Sequence, residues 1–181
     1  MENNQKSSFL QATLTWGLIT GLAGVVYTLI LYFTGLMQNK PIQFAGMIIT
    51  ILCLYLGIKS VRDQNYSGFI SYSKSLVTGV LISLFSTIVS LLFIIILYTI
   101  IDSGLIDIAL QESANQMAGR GMSEDQIEKG LAISRKFFIP FMAFGVLFFG
   151  TLSGFVISLI LSIFLKKEEN PFANTSEQKT E

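Results

Sequence analysis

Few side chains in this chain could do chemistry. The carboxylates Asp102, Asp107, Glu112, Glu124, Asp125 and Glu128 crowd into one stretch between two apolar runs. Clustered carboxylates can hold a divalent cation. A calcium loop, however, needs a D-x-[DN]-x-[DN]-G run, which is missing here. Solvated helix faces are the simpler account. The single cysteine, Cys53, lies inside an apolar run. It cannot form an intramolecular disulfide, and it reads as a small buried hydrophobe. The chain has no histidine. Histidine or multi-cysteine metal sites, and catalysis by a histidine base, are therefore excluded. No cofactor, metal or catalytic residue is expected, and the chain is read as a non-enzyme.

Hydroxyls are the next candidates. Ser83, Ser86, Thr87, Ser90 and Thr99 share one apolar run. They could line a hydrated path. More often such hydroxyls bond to the carbonyl one turn earlier or to a neighbouring helix. No Asp, Glu, Lys or Arg lies in the middle of any apolar run. Ion-coupled pumps, proton relays and voltage sensors need intramembrane charge, so they are excluded, whereas a passive pore or a lipid-binding groove is not.

Small residues recur every four positions. The first run carries Thr13, Gly17 and Gly21. The third carries Ser75, Gly79, Ser83 and Thr87, and the fourth Gly150, Gly154, Ser158 and Ser162. This spacing puts a shallow groove down one face of each helix, where backbones approach closely in lipid. The candidate packing residues are Gly17, Gly21, Gly79, Ser83, Gly150, Gly154 and Ser158. The grooves either pack the bundle itself or turn one face to another protein or to lipid.

The elements that position these residues follow from composition. Of 181 residues, 51% are hydrophobic and only 13% charged, against about 25% charged in a soluble domain. The charges are also segregated at the ends and in loops. Four apolar runs result, at about 10–37, 42–61, 73–101 and 137–165. They are too long and too uniformly apolar for barrel strands of about 9–11 residues. The first is also too long for a cleaved signal core of about 7–15 residues. The fold class is therefore all-α: a polytopic membrane protein with four transmembrane helices within residues 1–167.

The segment 102–136 between spans three and four is expected to be helical and outside the membrane. Gly119, Arg120 and Gly121 break it, and Ser123 with Gln126 matches a capping box. The second helix is expected to run toward span four, with Pro140 marking a kink or restart. The tail 168–181 is polar and is expected to be disordered.

Near the spans, Lys6, Lys59, Arg62, Lys74, Lys166 and Lys167 fall on one side, with Lys40, Arg135 and Lys136 on the other. The positive-inside rule then places both termini in the cytoplasm. Trp16, Tyr32, Tyr66, Tyr72 and Tyr98 are expected at span ends. Formal net charge is +0, so no global field favours nucleic acid.

Two stretches carry a family resemblance. They are "TWGLITGLAGVVYTLILYFTGL" in the opening span and "LGIKSVRDQNYSGFISYSKSLVTGVLIS" at the join of spans two and three. With the closing "IFLKKEENPF", the chain resembles the membrane family called domain of unknown function 4199. The most specific part is the "GIK-x-x-RD" exit from span two followed by "GFISYSKSLVTG". Asp102 is followed by Ser103 where an Asp-Pro pair is expected in that family. The resemblance implies a bacterial inner membrane and brings no catalytic or binding residue with it. The expected function is that of a non-catalytic membrane protein acting through helix–helix or lipid contacts. Its partners would be the bilayer and either a second copy or another membrane protein. The alternative is a passive small-solute permease or channel component.

Overall fold

The structure is a computed structural model and describes residues 2–37 and 39–167. The tail 168–181 lies outside the described residues. Helices run in the order α1 (Glu2–Phe33), α2 (Lys40–Asn65), α3 (Tyr72–Ile96), α4 (Gly104–Gly119), α5 (Glu124–Lys136) and α6 (Phe138–Leu165). A single π-helical turn, Leu97–Ile101, extends α3. Among the described residues, four stretches are long and apolar enough to cross a membrane: Ser8–Phe33, Phe44–Asn65, Tyr72–Ile101 and Phe138–Leu165.

Local chemistry sets the ends. Span one stops at Phe33, short of the expected Met37, because Gly35 adopts φ +70°. Leu36 N–H then reaches the Leu31 carbonyl at 2.9 Å and Gly35 N–H the Tyr32 carbonyl at 3.1 Å. This is a Schellman stop, which a Cβ-bearing residue at that φ would strain. Helix α2 starts behind Asn39, whose side chain accepts from Ile42 N–H. Pro41 sits in the first turn, where no N–H is needed. Span two does not end at Val61 as expected. The helix carries Arg62 and Asp63 through to Asn65, so their charges ride on its last turn.

The break at Gly119–Gly121 is a second Schellman stop. Gly121, at φ +78°, donates to Ala118, and Met122 donates to Met117. Helix α5 then begins behind Ser123, whose N–H donates to Gln126 Oε1 at 3.0 Å. Phe137 leaves helical geometry between α5 and α6. The chain therefore restarts at Phe138, and Pro140 falls harmlessly in the first turn of α6.

In space, α3 is central. It packs most extensively on α6 and α1, while α2 covers the groove between α1 and α3. The distribution of polarity is inverted relative to a soluble protein. Thr13, Ser75, Thr78, Ser158 and Ser162 are fully buried, whereas Phe144 is 68% and Phe164 77% exposed. Lipid tails are as apolar as Phe, so burying Phe gains little. Close backbone approach past small residues is what holds helices together. Cys53 is half-buried instead of fully enclosed. Trp16 lies about two turns inside span one rather than at its end, and its side chain packs on Gly57 of α2.

Candidate functional site: the α3–α6 seam and the two ends of the bundle

The small residues of α3 and α6 meet in antiparallel register. Gly79 faces Ser158, Ser83 faces Gly154, and Thr87 faces Gly150. Each glycine leaves no room for a Cβ. One added at Gly79 would stand 2.7 Å from Ser158 Cβ, and one at Gly150 would stand 2.8 Å from Thr87 Cγ2. At Gly154 it would overlap the Ser83 side chain. The small side chain on one helix fills the bare backbone of the other, with the glycine on α3 at one contact and on α6 at the other two.

The seam between α1 and α3 is parallel. Gly17 sits under Phe85 and Gly21 under Val89, with added Cβ distances of 2.5 and 2.7 Å. All the candidate packing residues therefore lie inside the bundle, on seams converging on α3. Gly46 and Gly57 of α2 belong to the same system. Gly46 receives the Tyr27 ring, and Gly57 receives Trp16 and Ile82. They are not four residues apart, so the small-xxx-small pattern passes over them. Their common face is visible only as a spacing of about three helical turns.

The hydroxyls of α3 mostly serve their own helix. Thr78 Oγ1 donates to the Lys74 carbonyl at 2.7 Å, Ser83 Oγ to Gly79 at 2.8 Å and Thr99 Oγ1 to Ile95 at 2.7 Å. Ser86 Oγ donates to the Ser83 carbonyl at 2.9 Å. Ser75, Ser158 and Ser162 are buried with Oγ atoms that have no hydrogen-bond partner among the described residues.

Two polar clusters close the ends. At one, Asn65 Nδ2 donates to Ser8 Oγ at 2.9 Å, and the Phe9 ring meets the Tyr66 ring edge-on. Ile70 and Lys167 exchange both backbone hydrogen bonds, at 2.9 and 3.0 Å. The start of span one, the α2–α3 loop and the end of α6 thus share one end. Lys74 Nζ stands 4.7 Å over the Tyr66 ring and Lys167 Nζ 5.3 Å over Phe69. Burial raises the Tyr66 phenol above its ordinary pKa. At the opposite end, Tyr32 donates to Asp102 at 3.1 Å, and Tyr27 donates to the Ile42 carbonyl.

The carboxylates between spans three and four are dispersed. Asp107 pairs with Arg135 at 2.6 Å and Asp125 with Lys129 at 2.7 Å. Glu112 accepts from Gln116, and Asp102 Oδ1 accepts from Gly104 N–H.

Fold and seams together define an integral membrane protein built as a four-span helical bundle. The chain belongs to the family described as "Protein of unknown function (DUF4199)", whose family model matches residues 15–167. No curated protein and no solved structure matches it.

Proposed function

We propose that this protein is non-catalytic and acts through contacts made by its outer surface with lipid or with a membrane partner. One observation carries this reading: the small and hydroxyl faces are used up inside the bundle, and what remains outward is apolar and aromatic. On the outer side of α3 and α6 a groove of about 560 Å³ is lined by Val80, Phe144, Leu147, Phe148 and Phe155. Phe144 and Phe148 stack there with centroids 5.8 Å apart. A surface of this kind accepts acyl chains or another apolar helix.

The permease reading would need the hydroxyl face of α3 to border an open path. Gly154 closes over Ser83, and the Ser83 and Ser86 hydroxyls bond to carbonyls of their own helix. Both facts weigh against it. The membrane is proposed to be a bacterial inner membrane, as the family resemblance implies, and both termini are proposed to be cytoplasmic on the strength of the Lys and Arg distribution.

Purification from native membranes, followed by identification of bound lipid and protein, tests the proposal. Stoichiometric retention of lipid or of one membrane protein is the expected result. Facilitated flux of small solutes in proteoliposomes, with no bound component, would replace it by the permease reading.

A further inference from the structure

Outside the spans, α4 and α5 form a hairpin that does not close. The cleft between them, of about 530 Å³, is lined by Leu110, Leu131, Ala132, Asp107, Glu128 and Arg135. A second hollow of about 330 Å³ is lined by Leu110, Ser113, Phe138, Phe141 and Met142. Leu110, 8% exposed, is a wall of both, so the two adjoin. Phe138, Phe141 and Met142 belong to the first turns of the fourth span. The two adjoining hollows therefore pass from a charged lining, outside the spans, to an aromatic one at the start of span four. That gradient matches a molecule with a polar head and an apolar tail.

The charges select the head. Two carboxylates, Asp107 and Glu128, and one guanidinium, Arg135, line the outer cleft. Nearby cations are engaged elsewhere, with Lys129 on Asp125 and Lys136 over the Phe137 ring. Asp107 is already paired with Arg135 at 2.6 Å, so Glu128 is the carboxylate in excess, and the guanidinium's remaining N–H groups can meet a phosphate. A quaternary ammonium is recognised by aromatic faces, and the lining residues of the outer cleft include no aromatic. A primary ammonium instead donates hydrogen bonds, for which Glu128 and Gln111 offer acceptors.

We infer that the groove between α4, α5 and the start of α6 binds a zwitterionic phospholipid with an ethanolamine head group. Its acyl chain lies along Phe138, Phe141 and Met142. This inference rests on the proposal that the protein works through lipid contacts.

The test places full-length protein in nanodiscs of equal palmitoyl-oleoyl phosphatidylethanolamine, phosphatidylcholine and phosphatidylglycerol. Retained lipid is then counted by native mass spectrometry. Wild type should retain the ethanolamine lipid about tenfold over the others, as expected for one charge-assisted hydrogen bond. Ala132→Trp, which fills the cleft, and Glu128→Gln, which keeps size and removes charge, should each abolish the preference. Leu92→Ala, on the exposed outer face of α3, should leave it intact. Glu128→Gln decides the matter if Ala132→Trp aggregates. Displacement by excess soluble phosphoethanolamine would overturn the requirement for a tail. A preference for choline or glycerol heads, or one unchanged in Glu128→Gln, would overturn the groove assignment and leave the broader proposal standing. A wild type that retains no lipid and no protein partner would remove that proposal as well.

Discussion

Gly154 of α6 lies directly against Ser83 of α3, and an added Cβ would overlap the serine side chain. Ile160, on the same helix, is 54% exposed on the outer surface. Gly154→Leu should therefore lower thermal stability in detergent far more than Ile160→Leu. Overpacking a close interface costs about 1–3 kcal/mol, and no hydrophobic gain offsets it in lipid. Gly150→Leu should behave like Gly154→Leu, because it meets Thr87 on the same seam. Equal melting of Gly154→Leu and Ile160→Leu would remove the packing role of the seam.

Ser162 gives the opposite expectation. Its hydroxyl is buried without a hydrogen-bond partner among the described residues. Ser162→Ala should leave melting unchanged or raise it, since an unmet buried hydroxyl costs about 1–3 kcal/mol. A clear fall in melting temperature would mean that this oxygen has a partner after all.

Tyr32 and Asp102 tie the end of span one to the end of span three. Asp102 also accepts from Gly104 N–H at the start of α4. Tyr32→Phe should cost about 1 kcal/mol, and Asp102→Ala should cost more because two bonds are lost. The double variant should match Asp102→Ala alone, since the tyrosine hydroxyl acts through that carboxylate. Additive losses, measured by thermal unfolding, would show that the two residues act separately.

The shared end can be checked by chemistry. In a Cys53→Ser background, Ser8→Cys with Asn65→Cys should be joined efficiently by a short bis-maleimide, because the native side chains are hydrogen-bonded. Ser8→Cys with Asp102→Cys should not, since Asp102 lies at the opposite end with Tyr32. Cross-linking of the second pair and not the first would refute the arrangement.

Sidedness needs a separate measurement. Reporters fused at Glu181 and within Gln111–Gly121 should report cytoplasmic and external locations respectively. Cytoplasmic activity from the hairpin fusion would invert the proposed topology.

Much of this architecture is determined by sequence alone. Uninterrupted apolar runs can satisfy their backbones in lipid only as helices, so the all-α class and the number of spans follow from composition. The hairpin break follows from Gly121, and the start of α5 from Ser123 and Gln126, because caps and positive φ are local requirements. Periodicity also identifies which residues can form close seams. Tertiary structure alone decides which seam each groove enters. Gly79 could face any helix with a small residue, and only the assembled bundle sets it against Ser158. Span ends moved for a related reason: Arg62 and Asp63 look like a boundary, yet their charges tolerate a helical last turn beside water. The Ile70–Lys167 bridge, the Tyr32–Asp102 bond and the adjoining hollows at Leu110 join segments far apart in the chain. No local pattern encodes them, since they arise where independent helices come to rest against one another.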